Sequence, residues 1–409
     1  MIKYGLVAFF CFWLFTATAQ DVTLTLEQIE AQFLQQNLQL IADRMNVDIA
    51  DAAVAQAKLW DNPELSVSPV NVWSEGKPKE YSAELSQLIQ TANKRGKWVG
   101  MQKLSKEMTL QDFDNELRGL KVELRKSVYE TEYLQTYQKT LTKEQQLFEQ
   151  LIAAYQKQAA QGNIARNELL RLQSSLLALD NEANDVQTSL NEQLKILKTL
   201  LNIDPLVNIH IEKDTSNIHP IETLSFAMLW DMAQDSRPDV KRQQLEVQYN
   251  EKSLAYEKSM RIPDVTFSAD YDRLGGVWPD FYGLGISFDL PVFNRNQGNI
   301  RAARINIDRS KYLSQQQINI AKNEIAEAFN NYTKAYLFYD KISHNEVLSE
   351  LDNMLEVYMK NFLNKNISML EFLDFMDTYK ENQQTVLLSG KNLRTTFDDL
   401  QYAVGTDIK

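Results

Sequence analysis

The chain has 409 residues, 44% of them apolar and 24% charged, with 55 acidic against 43 basic side chains and a net charge of −12. That acidic balance argues against a nucleic-acid partner, and a single cysteine, Cys11, leaves no pair for a disulfide. Catalysis finds no support: the histidines are only His210, His219 and His344, and neither a nucleophile elbow nor a glycine-rich phosphate loop is present.

In chain order, Lys3, the apolar run "GLVAFFCFWLF" and the small-residue site Ala17-Thr18-Ala19 read as a secretory leader over 1–19, cleaved before Gln20. Cys11 lies inside the run, so no lipid anchor on a mature N-terminal cysteine is expected. No later apolar run approaches the roughly 18 residues of a membrane-spanning helix, so any membrane segment must be a β-strand. A helix is expected over about 25–60, followed by Pro63 and two alternating strands, Leu65 and Val67, then Tyr81, Ala83 and Leu85, around the turn-rich "NVWSEGKPKE". A helix over about 97–161 follows, with Gly100 near its start and Gly119 within it, which would run about 95 Å. Leu134, Leu141, Phe148 and Tyr155 recur in it in steps of seven, with Tyr137 and Leu151 between, so it must lie against partner helices. The chain turns at Gly162-Asn163, returns in a helix of roughly ten turns, and reaches a linker over 206–220.

The second half repeats this plan. Pro238 marks a helix start for about 237–260, and Val265, Phe267, Ala269 and Tyr271 alternate in a strand. After "RLGGVWPD", Tyr282, Leu284, Ile286, Phe288 and Leu290 fall on one side and Gly283, Gly285, Ser287 and Asp289 on the other. From 299 to 364 there is no glycine or proline, so an unbroken helix is expected over about 298–362, with a turn at Lys365-Asn366 and another return helix. "GNIARNELLRLQ" matches "KNISMLEFLDFM": Asn163 with Asn366, Ile164 with Ile367, Glu168 with Glu371 and Leu170 with Leu373 are each 203 apart, as are Asp204 and Asp407. "NPELSVS" falls on "IPDVTFS" at an offset of 200. The chain therefore reads as two tandem copies, 20–205 and 221–409, joined by the linker.

The fold class is mainly α with a small β part, in which four strands carry one apolar and one polar face. Four are too few to close a membrane barrel, whose lower limit is about eight, so several chains must contribute. The face led by Phe288 and Leu290 would meet lipid, and Asp264, Thr266, Ser268, Asp270, Ser287 and Asp289 would line an aqueous lumen. Trp60 and Trp98 flank the strand bases while Trp73, Trp278 and Phe281 sit towards the loops, which fits two aromatic girdles. His210 with Glu212, and His219 nearby, read as surface polar residues rather than a metal site, and no cofactor is expected.

At this point the chain resembles the TolC-type outer-membrane efflux channels, through the duplicated helix-hairpin-helix plan, "SRPDV", "SFDLPVFNRNQGNI", "ARNELLRLQ" and "SMLEFLDFM". The first copy departs from the pattern, with "SQLIQTANKRGKW" lacking a counterpart of Pro291. The resemblance implies a homotrimer in the outer membrane with a shared 12-stranded barrel, continued by a periplasmic α-helical tunnel. It also implies work with a periplasmic adaptor and an inner-membrane pump of the RND type. The adaptor would dock at the hairpin tips, Gly162, Asn163, Lys365 and Asn366, where Gly162 suits a left-handed turn and Asn163 and Asn366 tolerate it. "EFLD" matches the acidic pair that family members place at the tunnel entrance, which makes Glu371 and Asp374 the gate; the first copy has Glu168 and Arg171 there. The compact length leans towards the heavy-metal (CzcC/CusC-like) branch, with drugs or other small molecules as alternative cargo. The competing readings are a periplasmic adaptor, which would carry β-rich domains around one helical hairpin, and a structural coiled coil.

Overall fold

The computed structural model of the chain describes residues 21–70, 73, 75–76, 79–162, 164–213, 220–274 and 277–408. The leader, Asn163 and His219 lie outside the described residues. The first half begins with strand β1 (Asp21–Leu24), helices α1 (Leu26–Gln36) and α2 (Leu38–Ala57), and strands β2 (Glu64–Val70) and β3 (Glu80–Ile89). Helices α3 (Lys94–Ala160) and α4 (Arg166–Leu201) follow, then β4 (Asn208–Ile211). Thr25 starts α1 with a capping box, its hydroxyl accepting from the Gln28 N–H while the Gln28 side chain accepts from the Thr25 N–H. The helix expected over 25–60 is in fact two. Asn37 leaves helical geometry at ψ 116°, and its buried amide donates to the Leu200 carbonyl at 2.8 Å.

The second half runs α5 (Phe226–Ser236), α6 (Pro238–Ser259), β5 (Val265–Arg273), β6 (Asp280–Phe288), α7 (Gln297–Ser343), α8 (Glu346–Leu363) and α9 (Met369–Val404). Proline supplies the first residue of α6, where its missing N–H costs nothing. The uninterrupted helix expected over 298–362 is broken between α7 and α8. Ser343, His344 and Asn345 come in succession there, three weak helix formers whose polar side chains compete for backbone groups.

Backbone geometry records the duplication. Positive φ occurs at Asn93 and Asn296, at Gly162 and Lys365, and at Asn202 and Gly405, and each pair is 203 positions apart. The helix joints match as well. Arg237, between α5 and α6, stands where Asn37 stands between α1 and α2, and its guanidinium donates to the Ala403 carbonyl at 2.7 Å, 203 positions beyond the Leu200 carbonyl that Asn37 holds. Arg237 is 2% exposed and also pairs with Asp239 at 2.5 Å and Glu324 at 2.6 Å.

The contacts divide the described chain into two compact units, each drawn from both halves. The first takes 21–37, 124–213 and 341–392. In it β1 and β4 pair in parallel, a small sheet that the sequence reading did not contain. Gln135 completes the β4 edge like a short strand, donating to the Ile209 carbonyl at 2.9 Å and accepting from the Ile211 N–H at 3.0 Å. The core of this unit contains Leu134, Tyr137, Leu141, Phe148, Leu151 and Tyr155, the heptad series of α3, packed on Leu172, Leu179 and Val186 of α4, on Phe362, and on Phe372 and Met376 of α9. Each fully buried side chain of this size contributes roughly 2 kcal/mol.

The second unit takes 38–123, 220–340 and 393–408. Its core joins Leu229 and Ala233 of α5, Ile325, Ala328 and Tyr332 of α7, and Leu393, Leu400 and Val404 of α9. Its four strands form one antiparallel sheet in the order β2-β3-β5-β6. Among the described residues no helix is long and apolar enough to cross a membrane.

If the joints hold the units as described, Arg237→Met should cost about 3 kcal/mol, because Asp239 loses its hydrogen-bonded cation and keeps only Arg118, at 4.0 Å. Asn37→Ala should cost about 1–2 kcal/mol, the loss of one buried hydrogen bond with its acceptor stranded. Denaturant titration of the purified protein measures both, and equal, negligible losses would show that the joints are incidental.

Candidate conduit face and hairpin tips

Register decides which strand residues share a face. Thr266 stands opposite Ser287, Ser268 opposite Gly285 and Asp270 opposite Gly283, while on the other side of β5 Ser268 meets Ser86 and Asp270 meets Glu84. Ser66 continues this row onto β2 through Glu84. The two glycines are part of the design: a Cβ at Gly283 would lie 1.9 Å from an Asp270 carboxylate oxygen, and one at Gly285 would lie 2.4 Å from the Ser268 hydroxyl. The opposite face pairs Leu65 with Leu85 and Ala269, Phe267 with Ile286, Leu284 with Ala269, and Val265 with Phe288. Leu284 is 92% exposed and Ile286 66%, so the apolar face is uncovered.

Asp264 and Asp289 fall just outside β5 and β6. Asp264 is committed locally: Lys94, buried at the start of α3, pairs with it at 2.7 Å, and it accepts from the Thr91 N–H at 2.8 Å. Asp289 is exposed.

The helical unit presents both tips. At the first, the Gly162 N–H donates to Ala159 at 3.1 Å with φ +77°. At the second, Lys365 donates to the Phe362 carbonyl at 3.0 Å and Asn366 to the Asn361 carbonyl at 2.8 Å, the paired bonds of a Schellman cap. The left-handed residue of that cap is Lys365, φ +62°, within the expected turn at Lys365-Asn366. Lys365 is the cap residue that aligns with Gly162, and Asn366 lies one step beyond it. Ile164 and Ile367 pack back on the core next to each turn. Glu371 and Asp374, on the first turns of α9, are both exposed, whereas Phe372 and Phe375, each the next residue along the chain, are buried. The acidic pair therefore points away from the core of its own unit.

A polar cluster further along the same helices escaped the sequence reading. The Tyr137 hydroxyl donates to Glu182, whose other oxygen accepts from Lys380 at 2.9 Å. Burial pushes the Glu182 carboxyl up, but these two donors hold it below its usual range. Glu144 lies near, 5% exposed, with one carboxylate oxygen buried and without a hydrogen-bond partner. Burial pushes its carboxyl up to about 7; Lys380 opposes the shift, while Glu182 and Asp377 add to it. The signal was available, since Glu144 occupies the seven-residue step between Tyr137 and Leu151, a core position of the heptad series. Among the described residues, no three histidine, cysteine or acidic side chains are placed to hold a metal ion.

No protein-family model matches the sequence. The cobalt-zinc-cadmium resistance protein CzcC of Cupriavidus metallidurans is 20% identical over 303 residues, 73% of this chain and 71% of that one. Among solved structures, the CmeC outer membrane channel of Campylobacter jejuni matches with a TM-score of 0.79 at 16% identity, covering 93% of this chain and 85% of that one. CusC matches with a TM-score of 0.74 at 16% identity, covering 93% and 92%. VceC of Vibrio cholerae matches at 0.73 and 15% identity, covering 93% and 96%. At these identities the likeness establishes the fold.

Glu144 gives the helical unit a pH dependence of known sign. Its carboxyl titrates higher in the folded chain than in the unfolded one, so the stability it permits is complete below the ordinary glutamate range and is lost as pH rises towards and past about 7. Glu144→Gln should therefore leave stability nearly unchanged at pH 5 and raise it at pH 8, by thermal unfolding at the two pH values. Identical shifts at both would remove Glu144 as the cause.

Proposed function

We propose that this chain, which has the fold of the outer-membrane channels, is the outer-membrane conduit of a tripartite efflux system. It gives passive exit to substrates handed over by a periplasmic adaptor and an inner-membrane pump of the RND type. One observation carries the reading: a four-stranded sheet exposes an apolar face while its other face is lined by serine, threonine and acidic side chains. β3, β5 and β6 have 10, 9 and 9 residues, the length that spans a bilayer when tilted, about 9–11. Each end of the sheet leaves one strand edge open, on β2 and on β6. Three copies would join these edges into a closed 12-stranded barrel with Thr266, Ser268, Asp270, Ser287 and Asp289 towards the lumen, and with Asp264 at its base held by Lys94.

The same assembly gives the tips their roles. Gly162 and Asn163 on one hairpin, Lys365 and Asn366 on the other, are where an adaptor meets the helical unit. Glu371 and Asp374, one helical turn apart on an exposed face, become two stacked rings of carboxylates at the periplasmic gate. Divalent metal cations are the favoured cargo, on the strength of the cobalt-zinc-cadmium resistance protein among the relatives.

The test is complementation of a strain lacking the chain, scored by outer-membrane level and by cell-associated zinc. Leu284→Arg, in the middle of the apolar face, carries a penalty of about 2–4 kcal/mol at the membrane midplane, so the protein should disappear from the outer membrane and zinc retention should rise. Ser287→Arg, on the lumen face, should insert normally. Equal insertion of both variants would refute the assignment of faces. Normal zinc handling in the strain without the chain would exclude metal cations as cargo.

A further inference from the structure

Each strand pair of the sheet has a cavity at its helix-bearing base, and the two are chemically unlike. The one below β2 and β3, about 490 Å³, is lined by Trp60, Trp98 and Tyr256, with the Arg95 guanidinium 3.5 Å over the Trp60 ring. The one below β5 and β6, about 560 Å³, is lined by Arg261, Arg295, Arg301 and Arg304 together with Val292 and Phe293. Arg301 occupies the position that Trp98 holds in the first copy, 203 residues earlier.

Four exposed arginines line one cavity, and their mutual repulsion, screened in part by water and salt, is relieved further when an anion joins them. Among the described residues none of the four has a carboxylate within ion-pair distance, although the chain carries 55 acidic side chains against 43 basic ones. Beside them Phe293 is 91% exposed and Val292 56%, so the ligand must offer an apolar part next to its charge. Guanidinium forks match phosphate oxygens in pairs, and basic side chains next to a membrane attract anionic lipids. The tryptophans at the equivalent base are the residue type that settles at a lipid headgroup layer.

We propose that the arginine cavity binds the phosphate headgroup of an anionic phospholipid in the periplasm-facing leaflet, with its acyl chains against Val292 and Phe293. This rests on the outer-membrane placement proposed above. The lipid would fill the open base of the sheet and fix the depth at which β5 and β6 sit.

The experiment extracts the protein from outer membranes into neutral detergent, adds phosphatidylglycerol or phosphatidylcholine, and counts retained lipids by native mass spectrometry. The wild type should retain phosphatidylglycerol over phosphatidylcholine by at least roughly fivefold, the effect of one basic side chain near an anionic surface. A triple variant, Arg261→Gln with Arg301→Gln and Arg304→Gln, should lose that preference, and the corresponding triple lysine variant should keep most of it. Equal retention by wild type and glutamine variant, both present in the outer membrane, would overturn the lipid site and leave the channel reading standing. Displacement of the lipid by millimolar inorganic phosphate would overturn it in favour of a soluble anion. Loss of the oligomer with unchanged lipid retention would overturn it in favour of a contact between copies. Absence of the wild type from the outer membrane would overturn both proposals.

Discussion

A backbone N–H or C=O in hydrocarbon has no water to turn to, and each one left unpaired costs several kcal/mol. On the proposed outer-membrane reading, that constraint governs the four-stranded sheet. Its inner pairings are complete from Glu64–Ser86 through Arg273–Asp280, but the outer edges of β2 and β6 are not used within one chain. In water such a sheet would present two sticky edges and an apolar face with Leu284 and Phe288 uncovered. In a membrane the face is satisfied at once, and the edges are satisfied only by another copy. Under the proposed function, oligomerisation is then a condition of insertion rather than a later event.

The helices answer a different requirement. A long α3 must be covered along its length, yet the chain has to return to the sheet twice. The joints between α1 and α2 and between α5 and α6 manage this by breaking the helix and spending a polar side chain on the open carbonyl of a returning helix, Leu200 for Asn37 and Ala403 for Arg237. The two copies keep the bond and change the residue. Asn37 makes it with a neutral amide; Arg237 brings a charge that needs Asp239 and Glu324 around it.

What the sequence made legible was whatever periodicity or internal comparison reports. The alternation over β5 and β6, the heptad series of α3 and the offset of 203 located the sheet, the long helix and the turns, and the fold followed from their order. What it concealed depended on contacts between distant segments. Asp21–Leu24 and Asn208–Ile211 are too short to show a strand pattern, and only their pairing makes them strands. Asn37 has no local reason to end a helix until the Leu200 carbonyl is beside it. Ser343 to Asn345 contain no glycine or proline, so the break between α7 and α8 was read through. Of the tip residues, the turn at Gly162 was plain from its glycine, whereas the left-handed conformation fell on Lys365, a residue type that gives no such signal. The arginine cavity spans residues from both sides of a hairpin, and only the paired strands bring Arg261 to Arg301 and Arg304.

Edge-to-edge closure is the central claim, and disulfide trapping tests it directly. The only native cysteine is Cys11, in the expected leader, so once that leader is removed cysteines placed at Ser66 on β2 and at Ser287 on β6 would be alone in the chain. Both positions lie on the polar face, and adjacent strands bring such pairs within bonding distance after a shift of register is sampled with neighbouring positions. Oxidised outer membranes should yield a reducible ladder of one, two and three linked chains that stops at three. A protein that reaches the outer membrane yet gives no cross-link at any register, or a ladder that runs past three, would contradict a barrel shared by three copies.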